Sequence, residues 1–530
     1  MPNKIITAAQ AAALIQDEAF IATSGVNVAG APMEIIDAIA ERFTNEGHPK
    51  NISVIHSGGH TYIRPLTIDG LLGTYYPGFS NIDPAIIDEN RIPVYSITQG
   101  IGVQLYRAQA NGMPYLTKAG LHTYVDPRYQ GAAANAKAAE KPIVEVVEIG
   151  GEEYLHFKIP PIKVSLIRAT TADTDGNLTN EDESIKSEIL TLAMAAHNNG
   201  GIVIAQVKNL VELGNIDAAR VKVPGMLVDY VVVCTDTVKW HPQSISNRVG
   251  DAQKSDFRGM TGFCRVPEET VPKHIWAPTG YKLVMARRGA AELRPGFVCN
   301  VGLGTSDGVA SVAYEEGVSD MYYMSNELGS IGGMIGGSFF FASAFNARAY
   351  MDHQDMFDFI NGNGLDITFL GAAEIGEDGS VNVTRIGGRT NGSGGFINIS
   401  SSTKRVVFMT TLTAGVKAEI EEGKLKISKE GKPIKFVKEV EQIGFNGKEA
   451  VRKEQEVLYV TERAVFKLIN GKVTLIEYAP GFDIERDIIA HMGFRPEVSP
   501  DVKPIPDYCF ETGKIGLLEQ WQRILDEKSN

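Results

Sequence analysis

The sequence predicts an α/β protein of two related open domains with mainly parallel sheets, and three observations support this prediction. Short apolar runs rich in β-branched residues, such as "KVSLIRAT" and "GIVIAQVKNL", alternate with helical patterns such as "PMEIIDAIAERF". Buried strands that alternate with helices are typical of parallel sheets. Related stretches also occur twice, and a chain of 530 residues exceeds the usual size of one hydrophobic core.

The internal repeat predicts where the two domains lie. "VSLIRATTADTDGNL" (164–178) resembles "ITFLGAAEIGEDGSV" (367–381), and "AFIATSGVNVAGAP" (19–32) resembles "GFVCNVGLGTSDGV" (296–309). Between the repeats, the stretch 240–280 is polar and weakly periodic, which is typical of a junction. We therefore predict domains at 1–270 and 271–530, and we expect a site where the two α/β halves face each other.

Residues 418–478 have a different pattern. Pieces such as "EEGKLKIS" and "LINGKVTLIEY" alternate apolar and polar residues around glycine-containing turns. This pattern predicts antiparallel hairpins, which we interpret as a β region appended to the C-terminal half.

Composition excludes several classes of function. The net charge of −13 argues against a general nucleic-acid or anionic-membrane binder. The four cysteines are far apart, without the C-x-x-C spacing of a zinc site, and favour reduced thiols in a cytoplasmic protein. The N-terminus reads as a short helix instead of a secretory signal. No uncharged run has the length of a membrane span, so we expect no membrane association.

A first candidate for catalysis is the motif "GTSDG" (304–308), which satisfies G-x-S-x-G between a strand and a helical pattern. On this reading Ser306 is the nucleophile of a thioester or ester hydrolase, with His353 or His491 as its base. The corresponding loop of the first half, "SGVNVAGAP", has no serine at the matching place, which favours a structural turn.

Nucleotide and metal motifs are incomplete. "GLGTSDG" lacks the third glycine of a dinucleotide fingerprint, and no Gly-Lys pair precedes a serine or threonine as in a P-loop. The Asp-Gly pairs at 175–176 and 378–379 predict tight turns instead of calcium loops. His56 and His60 are separated by glycines and lack a third ligand, so we predict no metal site.

The remaining candidate combines Glu327 in "SNELGSIGG" with the glycine-rich stretch "TNGSGGFINIS" (390–400). Glycine-rich loops let backbone N–H groups converge on a developing negative charge, as in an oxyanion hole. A carboxylate can itself be a covalent nucleophile. Attack on a thioester would exchange one activated bond for another, without ATP, a metal or a redox cofactor.

Several long segments resemble the family I CoA-transferases, specifically the single-chain acetate/propionate type with fused halves. The resemblance covers nearly the whole chain and includes "GLHTYVDPR", "NVGLGTSDGVA", "FDFINGNGLDITFLGAAEIGEDGSVNV" and "APGFDIERD". The family's E-x-G-x-I-G-G motif falls on Glu327, Gly329, Ile331, Gly332 and Gly333.

This resemblance implies reversible CoA transfer from a short-chain acyl-CoA to a carboxylic acid by a ping-pong mechanism. Glu327 would be the nucleophile and would form a glutamyl-CoA thioester. The N–H of Gly394 or Gly395 would stabilise the oxyanion, and Gln99 in "ITQGIG" is a further candidate donor. In the same loop, Gly392, Gly394, Gly395 and Phe396 would contact CoA, which enters as a substrate; no permanently bound cofactor is expected.

The resemblance leaves the acid open. Leu328 stands where relatives have a small polar residue, and Phe339–Phe341 form an unusually aromatic run. These residues either pack in the core or reshape the acyl pocket for longer or aromatic, cinnamate-like acids. A non-catalytic acyl-CoA sensor is a further alternative. Acyl-CoA and carboxylates are the expected partners, and the resemblance implies a homo-oligomer, a tetramer or a dimer.

Overall fold

The structure is a computed structural model, and it describes residues 3–58, 61–79, 86–87, 89–241, 278–302, 304–335 and 344–529. The chain forms two compact units. The first contains the chain through residue 241 together with two later segments, Met351–Asp358 and Gly388–Asn398. The second contains the other described residues. The predicted junction at 240–280 and the boundary at residues 270/271 fall mainly outside the described ranges.

The first eleven strands, all in the first unit, are β1 Ile5–Ile6, β2 Phe20–Val26, β3 Ile52–Gly58, β4 Leu72–Pro77, β5 Tyr115–Thr117, β6 Val144–Ile149, β7 Glu152–Phe157, β8 Val164–Asp173, β9 Leu178–Thr179, β10 Ile202–Val211 and β11 Tyr230–Val233. The helices of this stretch are α1 Ala8–Leu14, α2 Met33–Glu46, α3 Gln99–Ala110, α4 Ala136–Ala139, α5 Ile189–Asn198 and α6 Thr237–Trp240, with 3₁₀ turns at Thr61–Leu66, Ala218–Arg220 and Gly225–Leu227.

The main sheet of the first unit has the strand order β1-β11-β10-β8-β2-β3-β4, and all of these neighbours pair in parallel. Strand β8 is buried at every position, as expected for a parallel strand covered on both faces. The short β9 returns antiparallel to β8 after the predicted Asp175-Gly176 turn, in which Gly176 has φ +90°. The smaller sheet β5-β7-β6 is antiparallel.

The later strands are β12 Val298–Val301, β13 Tyr323–Ser325, β14 Ser330–Ile331, β15 Met334–Ile335, β16 Ala344–Phe345, β17 Ala349–Tyr350, β18 Ile367–Gly371, β19 Glu374–Gly376, β20 Val381–Asn382, β21 Arg385–Ile386, β22 Arg389–Thr390, β23 Arg405–Met409, β24 Lys417–Glu421, β25 Lys424–Lys429, β26 Phe436–Val437, β27 Glu456–Val460, β28 Ala464–Ile469, β29 Lys472–Tyr478 and β30 Glu497–Pro504. The later helices are α7 Tyr281–Ala290, α8 Gly308–Glu315, α9 His353–Asn361, α10 Phe396–Ser402, α11 Gly447–Arg452 and α12 Leu517–Ser529, with 3₁₀ turns at Thr305–Asp307, Ile489–His491 and Asp507–Cys509 and a π turn at Ile484–Ile488.

The large sheet of the second unit repeats the topology of the first. Its central strands β27-β23-β18-β12-β13 are all parallel. Numbered by appearance in the chain, these strands have the spatial order 5-4-3-1-2, and β11-β10-β8-β2-β3 have the same order. The predicted fold class, two related open α/β domains, is confirmed.

The antiparallel region predicted after residue 418 is also present, with a difference in its construction. The hairpin β24–β25 is a separate two-stranded sheet. By contrast, β27 pairs in parallel with β23, and the antiparallel strands β28 and β29 extend the large sheet outward. Their apolar side chains thereby join the same core, in which Leu458, Val460 and Val465 are buried.

Candidate active site

Glu327 lies in a tight turn at the carboxyl end of the parallel strand β13. The turn closes through a hydrogen bond from Gly329 N–H to the Asn326 carbonyl oxygen (3.1 Å). Asn326 also accepts, at its side-chain Oδ1, the N–H groups of Leu328 (3.1 Å) and Ser330 (3.2 Å). Asparagine favours such turns because its side chain mimics a backbone carbonyl. The turn therefore holds the backbone of Glu327 from both sides.

The glycines of the E-x-G-x-I-G-G motif are required by the backbone conformation and by close packing. Gly329 has φ +98°, and Gly332 has φ +75°, conformations that L side chains rarely adopt. A Cβ on Gly332 would lie 2.7 Å from the side chain of Arg348, so only glycine fits there. Glu327 is itself partly buried, and its Oε2 atom is buried. Leu328 is buried, as expected for the core-packing alternative.

The neighbouring strand β12 ends in the G-x-S-x-G loop. Ser306 is fully buried, and its hydroxyl donates to the Gly302 carbonyl oxygen (2.8 Å). Both ring nitrogens of His353 are engaged by other side chains, and His491 Nε2 lies 3.8 Å from Glu430. The structure therefore gives Ser306 the role of a turn residue, and the hydrolase reading has no exposed nucleophile at this position.

Asp307, the next residue of that loop, lies in an unusual environment for a carboxyl. Desolvation by burial raises its pKa from the ordinary 3.8 to about 6, against the opposing effects of the Gly304 N–H and the Lys282 ammonium. Because β12 and β13 are parallel neighbours, Asp307 and Glu327 follow strands that end at the same edge of the sheet. In open α/β sheets this is the edge at which ligands bind.

In the first unit, the structure brings Gln99 next to the predicted glycine loop. Gln99 is the first residue of α3, whose N-terminus is capped by Thr98 Oγ1 accepting the Ile101 N–H (3.0 Å). The backbone N–H of Gln99 donates to the Gly394 carbonyl oxygen (2.9 Å). Thr98 also donates its hydroxyl to Asn398 Oδ1 (2.5 Å). Two stretches 295 residues apart, as counted from Gln99 to Gly394, are thus adjacent.

The two candidate oxyanion glycines differ in the hydrogen bonding of their N–H groups. Gly394 has φ +54°, and its N–H donates to the Gly78 carbonyl oxygen (3.0 Å). In the described part of the chain, no acceptor takes the N–H of Gly395, which immediately precedes α10. Phe396, predicted to contact CoA, is mostly buried, and its N–H turns back to the Ser393 carbonyl oxygen (3.0 Å). Gly392 has φ +77°.

Two buried residues that contact this region, His353 and Glu188, were not predicted to be part of it. His353 Nε2 lies 2.8 Å from Gln99 Nε2, and His353 Nδ1 lies 2.8 Å from Glu188 Oε2. From the sequence, His353 was a candidate only as a base for Ser306. A histidine and a glutamate 165 residues apart give no local signal, because only the fold makes them neighbours.

The remaining predicted features lie elsewhere in the chain. His56 is buried and its Nε2 contacts the Tyr75 hydroxyl, while His60 lies outside the described residues. Among the described residues, no group of three or more His, Cys, Asp or Glu side chains could hold a metal ion. The run Phe339–Phe341 also lies outside them. None of the described helices combines the length and the apolar character that crossing a membrane requires.

Comparison with known proteins decides the family. The coenzyme A transferase family model matches residues 5–234. The caffeate CoA-transferase of Acetobacterium woodii is 40% identical over 97% of this chain and 98% of its own. The acetate CoA-transferase YdiF of Escherichia coli K12 is 36% identical over 97% of this chain and 96% of its own. The chain belongs to the coenzyme A transferase family. The resemblance seen in the sequence is confirmed.

Solved structures agree with this assignment. The acyl-CoA transferase YdiF from Escherichia coli O157:H7, as apoenzyme, superimposes with a TM-score of 0.89 at 36% identity, covering 97% of both chains. The same relative as a thioester complex with CoA gives a TM-score of 0.88 at 35% identity, again covering 97% of both chains. This protein is therefore a CoA-transferase, and CoA is part of its substrate.

Proposed function

We propose that this transferase moves CoA from a short-chain acyl-CoA to a carboxylic acid by a ping-pong reaction through Glu327. The observation that carries the proposal is the position of Glu327. Its partly buried carboxylate lies in an asparagine- and glycine-built turn at the carboxyl end of β13. A relative crystallised as a CoA thioester complex supports a mechanism in which CoA forms thioesters on this fold.

In the first half-reaction, a carboxylate oxygen of Glu327 attacks the thioester carbonyl carbon, and the C–S bond breaks. The products are a mixed anhydride and the CoA thiolate. The thiolate then attacks the side-chain carbonyl of Glu327, which gives a glutamyl-CoA thioester and releases the first acid as its carboxylate. No oxidant, reductant or nucleotide is needed, because each step exchanges one activated acyl bond for another.

The second half-reaction runs the same steps in reverse with the acceptor acid. Its carboxylate attacks the glutamyl thioester and displaces the thiolate, which forms a new mixed anhydride. The thiolate then attacks the acceptor's carbonyl carbon, which gives the new acyl-CoA and regenerates the Glu327 carboxylate. Binding energy from the CoA moiety would align the reacting carbonyl.

Both half-reactions pass through tetrahedral intermediates that need hydrogen-bond donors for their oxyanions. We propose the N–H of Gly395 for this role in preference to that of Gly394. The reason is that the Gly394 N–H already donates to the Gly78 carbonyl oxygen. Gln99, which lies beside the loop, is proposed as a second donor through its side-chain amide.

Replacing the nucleophile is the decisive experiment. Glu327→Gln keeps the size of the side chain but removes the attacking carboxylate, so CoA transfer should fall by at least about 1,000-fold with unchanged melting temperature. Glu315→Gln is a matched control, since Glu315 is an exposed glutamate of the same unit. Transfer should be measured with acetyl-CoA and propionate. Wild-type rates in the Glu327→Gln variant would exclude Glu327 as the nucleophile.

Mass spectrometry of the same proteins tests the covalent intermediate. Wild-type protein incubated with acetyl-CoA should gain the mass of CoA, less one water, on the peptide that contains Glu327. The Glu327→Gln variant should show no such gain. A CoA adduct on another peptide of the wild-type protein would contradict the glutamyl-CoA mechanism.

A second candidate function differs from the first in the acid. In it, the protein transfers CoA to or from longer or aromatic, cinnamate-like acids. The 40% identity to a caffeate CoA-transferase, over nearly the whole of both chains, favours it. Values of kcat/KM for acetate, propionate, butyrate, lactate and cinnamate as acceptors should separate the two candidates. One methylene changes such ratios by only about 10- to 200-fold, so the aromatic acceptor is the informative comparison.

The predictions of a cytoplasmic location, a homo-oligomer and a protein without a permanently bound cofactor stay predictions. Size-exclusion chromatography with light scattering would measure the assembly, and an absorption spectrum of the purified protein would reveal a bound chromophore.

A further inference from the structure

The glycine loop of the first unit has an open side at Gly394, next to the N–H that we propose as the oxyanion donor. Apart from its two chain neighbours, a Cβ built on Gly394 would meet only Phe79 Cδ2 and Gln99 Oε1 among the described residues, each at 3.9 Å. That distance is an ordinary van der Waals contact, so a carbon atom fits there without displacing either residue. We call this space, bounded by the Phe79 ring and the Gln99 carboxamide, the Gly394 slot.

Other glycines that pack around this loop have no such space. A Cβ on Gly78 would lie 1.7 Å from the Ser57 carbonyl oxygen, and a Cβ on Gly100 would lie 2.5 Å from the Asn398 side chain. Protein interiors are close-packed, and these two contacts are typical of them. The Gly394 slot is therefore a local opening in a tightly packed part of the unit.

The backbone of Gly78 holds Phe79 beside the slot. The Gly78 N–H donates to the His56 carbonyl oxygen (2.9 Å), and the Gly78 carbonyl oxygen accepts the Gly394 N–H (3.0 Å). Phe79 follows directly, two residues after the end of β4 at Pro77. Because β3 and β4 are parallel, Phe79 lies at the carboxyl edge of the sheet, where ligands bind in open α/β folds.

The Phe79 ring has apolar surface to offer to a ligand. It is half-buried, so part of its surface is open to solvent. Phenylalanine rings contribute large apolar areas, and they pair with other rings in offset or edge-to-face arrangements. An aromatic group that enters the Gly394 slot would find such a partner in Phe79.

The length of the acyl chain decides which acids reach this ring. An acyl oxygen that accepts the Gly395 N–H lies within hydrogen-bond distance of the loop, so its carbonyl carbon lies beside the slot. A propionyl chain ends at its third carbon, whereas in a cinnamoyl group the same carbon carries the aromatic ring. Only the cinnamoyl group therefore has an aromatic face to place against Phe79.

We infer that Phe79 is a specificity-determining residue of this transferase, whose ring packs against the ring of an arylacrylic acid such as cinnamate. The inference rests on the proposed function, in which the acyl oxygen accepts the Gly395 N–H, and it selects the aromatic acids among the candidate substrates. Phe79 was not predicted to be part of the site.

The test compares cinnamate with cyclohexylacrylate as acceptors, with acetyl-CoA as the donor. Both acids carry a six-membered apolar ring on the same chain, but only cinnamate has an aromatic face. Phe79→Leu should lower the ratio of their kcat/KM values by about 3- to 10-fold, which is the contribution expected of an aromatic pair. Phe79→Tyr keeps the aromatic face and should keep the wild-type ratio.

Propionate is the third acceptor in this comparison. Its kcat/KM should fall less in Phe79→Leu than that of cinnamate, because the propionyl chain is too short to contact the ring. A merely structural role for Phe79 would instead lower both values by the same factor. Where Phe79→Leu does not fold, as judged by its melting temperature, Phe79→Ile replaces it in the comparison.

Phe43→Leu is the matched control. Phe43 is a half-buried phenylalanine of α2, and a Cβ on Gly70 would lie 3.4 Å from its Cζ atom. Since Gly70 precedes β4, Phe43 lies near the opposite edge of the same sheet. The Phe43→Leu protein should therefore keep the wild-type ratio of kcat/KM values for cinnamate and cyclohexylacrylate.

The outcomes separate this inference from the proposed function. An unchanged ratio in Phe79→Leu, equal losses for cinnamate and propionate, or the same change of ratio in Phe43→Leu would each overturn the inference. A wild type that transfers CoA to propionate but not to cinnamate would also overturn it and leave the proposed function standing. If the wild type forms no CoA adduct at Glu327 and transfers CoA to none of these acids, the proposed function itself is rejected.

Discussion

The G-x-S-x-G loop of the second unit illustrates how a single side chain acquires its role from its surroundings. Ser306 fits a nucleophile motif in sequence, yet its hydroxyl is committed to the Gly302 carbonyl oxygen. Its neighbour Asp307 fits no motif, yet burial makes it the group in this loop with a shifted protonation equilibrium. The motif therefore predicted the turn, but Ser306 is not an exposed nucleophile within it.

Asp307→Asn should raise stability at neutral pH. The folded pKa of about 6 exceeds the ordinary 3.8, so the folded state holds the proton more tightly. Stability from this group is present below about pH 4 and is lost as pH rises to about 6, above which the ionised carboxylate costs about 3 kcal/mol relative to the protonated form. Melting temperatures measured from about pH 3.5 to about 7.5 should converge for wild type and variant at the acid end. A variant that is less stable at neutral pH would contradict this reading.

The approach of α3 to α10 shows how one helix contact joins two distant parts of the first unit. Thr98 caps α3 and also donates to Asn398 in α10. Gly100, one residue into α3, lets the backbone come close, because its missing Cβ would meet Asn398 at 2.5 Å and Phe357 at 2.6 Å. The stretch "ITQGIG" therefore begins a helix, and its Gly100 also permits the close contact with α10.

Gly100→Ala should destabilise the fold and Gly102→Ala should not. The methyl group added by Gly100→Ala would overlap two packed side chains, at a cost of about 1–3 kcal/mol. At Gly102 the nearest atom is 3.3 Å away, and the better helix propensity of alanine offsets the strain. Urea unfolding of both variants measures the difference. Equal midpoints would show that the α3 contact adjusts without cost.

The second unit is completed by the C-terminal end of the chain. Trp521 in α12 is fully buried and meets the Tyr322 ring edge-on, with centroids 5.9 Å apart. Glu316 accepts the N–H groups of Ile515 (2.6 Å) and Leu517 (2.9 Å), and so caps the start of α12. The unit that carries Glu327 thus depends for its core on residues almost 200 positions further along the chain.

Trp521→Ala should remove about 3–5 kcal/mol from the unfolding free energy of this unit, because it leaves a large cavity in the core. Leu518→Ala on the same helix should cost little, since Leu518 is 37% exposed. Thermal melting and CoA-transfer rates measured together would show both effects. A Trp521→Ala protein as stable as Leu518→Ala would mean that α12 is dispensable for this core.

The fold class was predictable because parallel strands buried on both faces leave continuous apolar runs in the sequence. The segment that contains β8 and its Asp-Gly turn is similar in sequence to the segment that contains β18 and the turn after it. The strand order 5-4-3-1-2, which both units share, agrees with this internal repeat. The outward extension of the large sheet by β27, β28 and β29 was not predictable, because alternation along a strand does not say which neighbour it pairs with.

The local geometry of the site was predictable where residues adjacent in sequence form it. The turn that holds Glu327, with its asparagine and its obligatory glycines, is of this kind, and so is the glycine loop before Phe396. Tertiary structure alone decided three other contacts. They are the contact of Gln99 with Gly394, the hydrogen bond that already engages the Gly394 N–H, and the buried hydrogen bonds that join Ser57, Glu188 and His353. Their partners are brought together by sheet and helix packing, and the distance along the chain carries no information about such contacts.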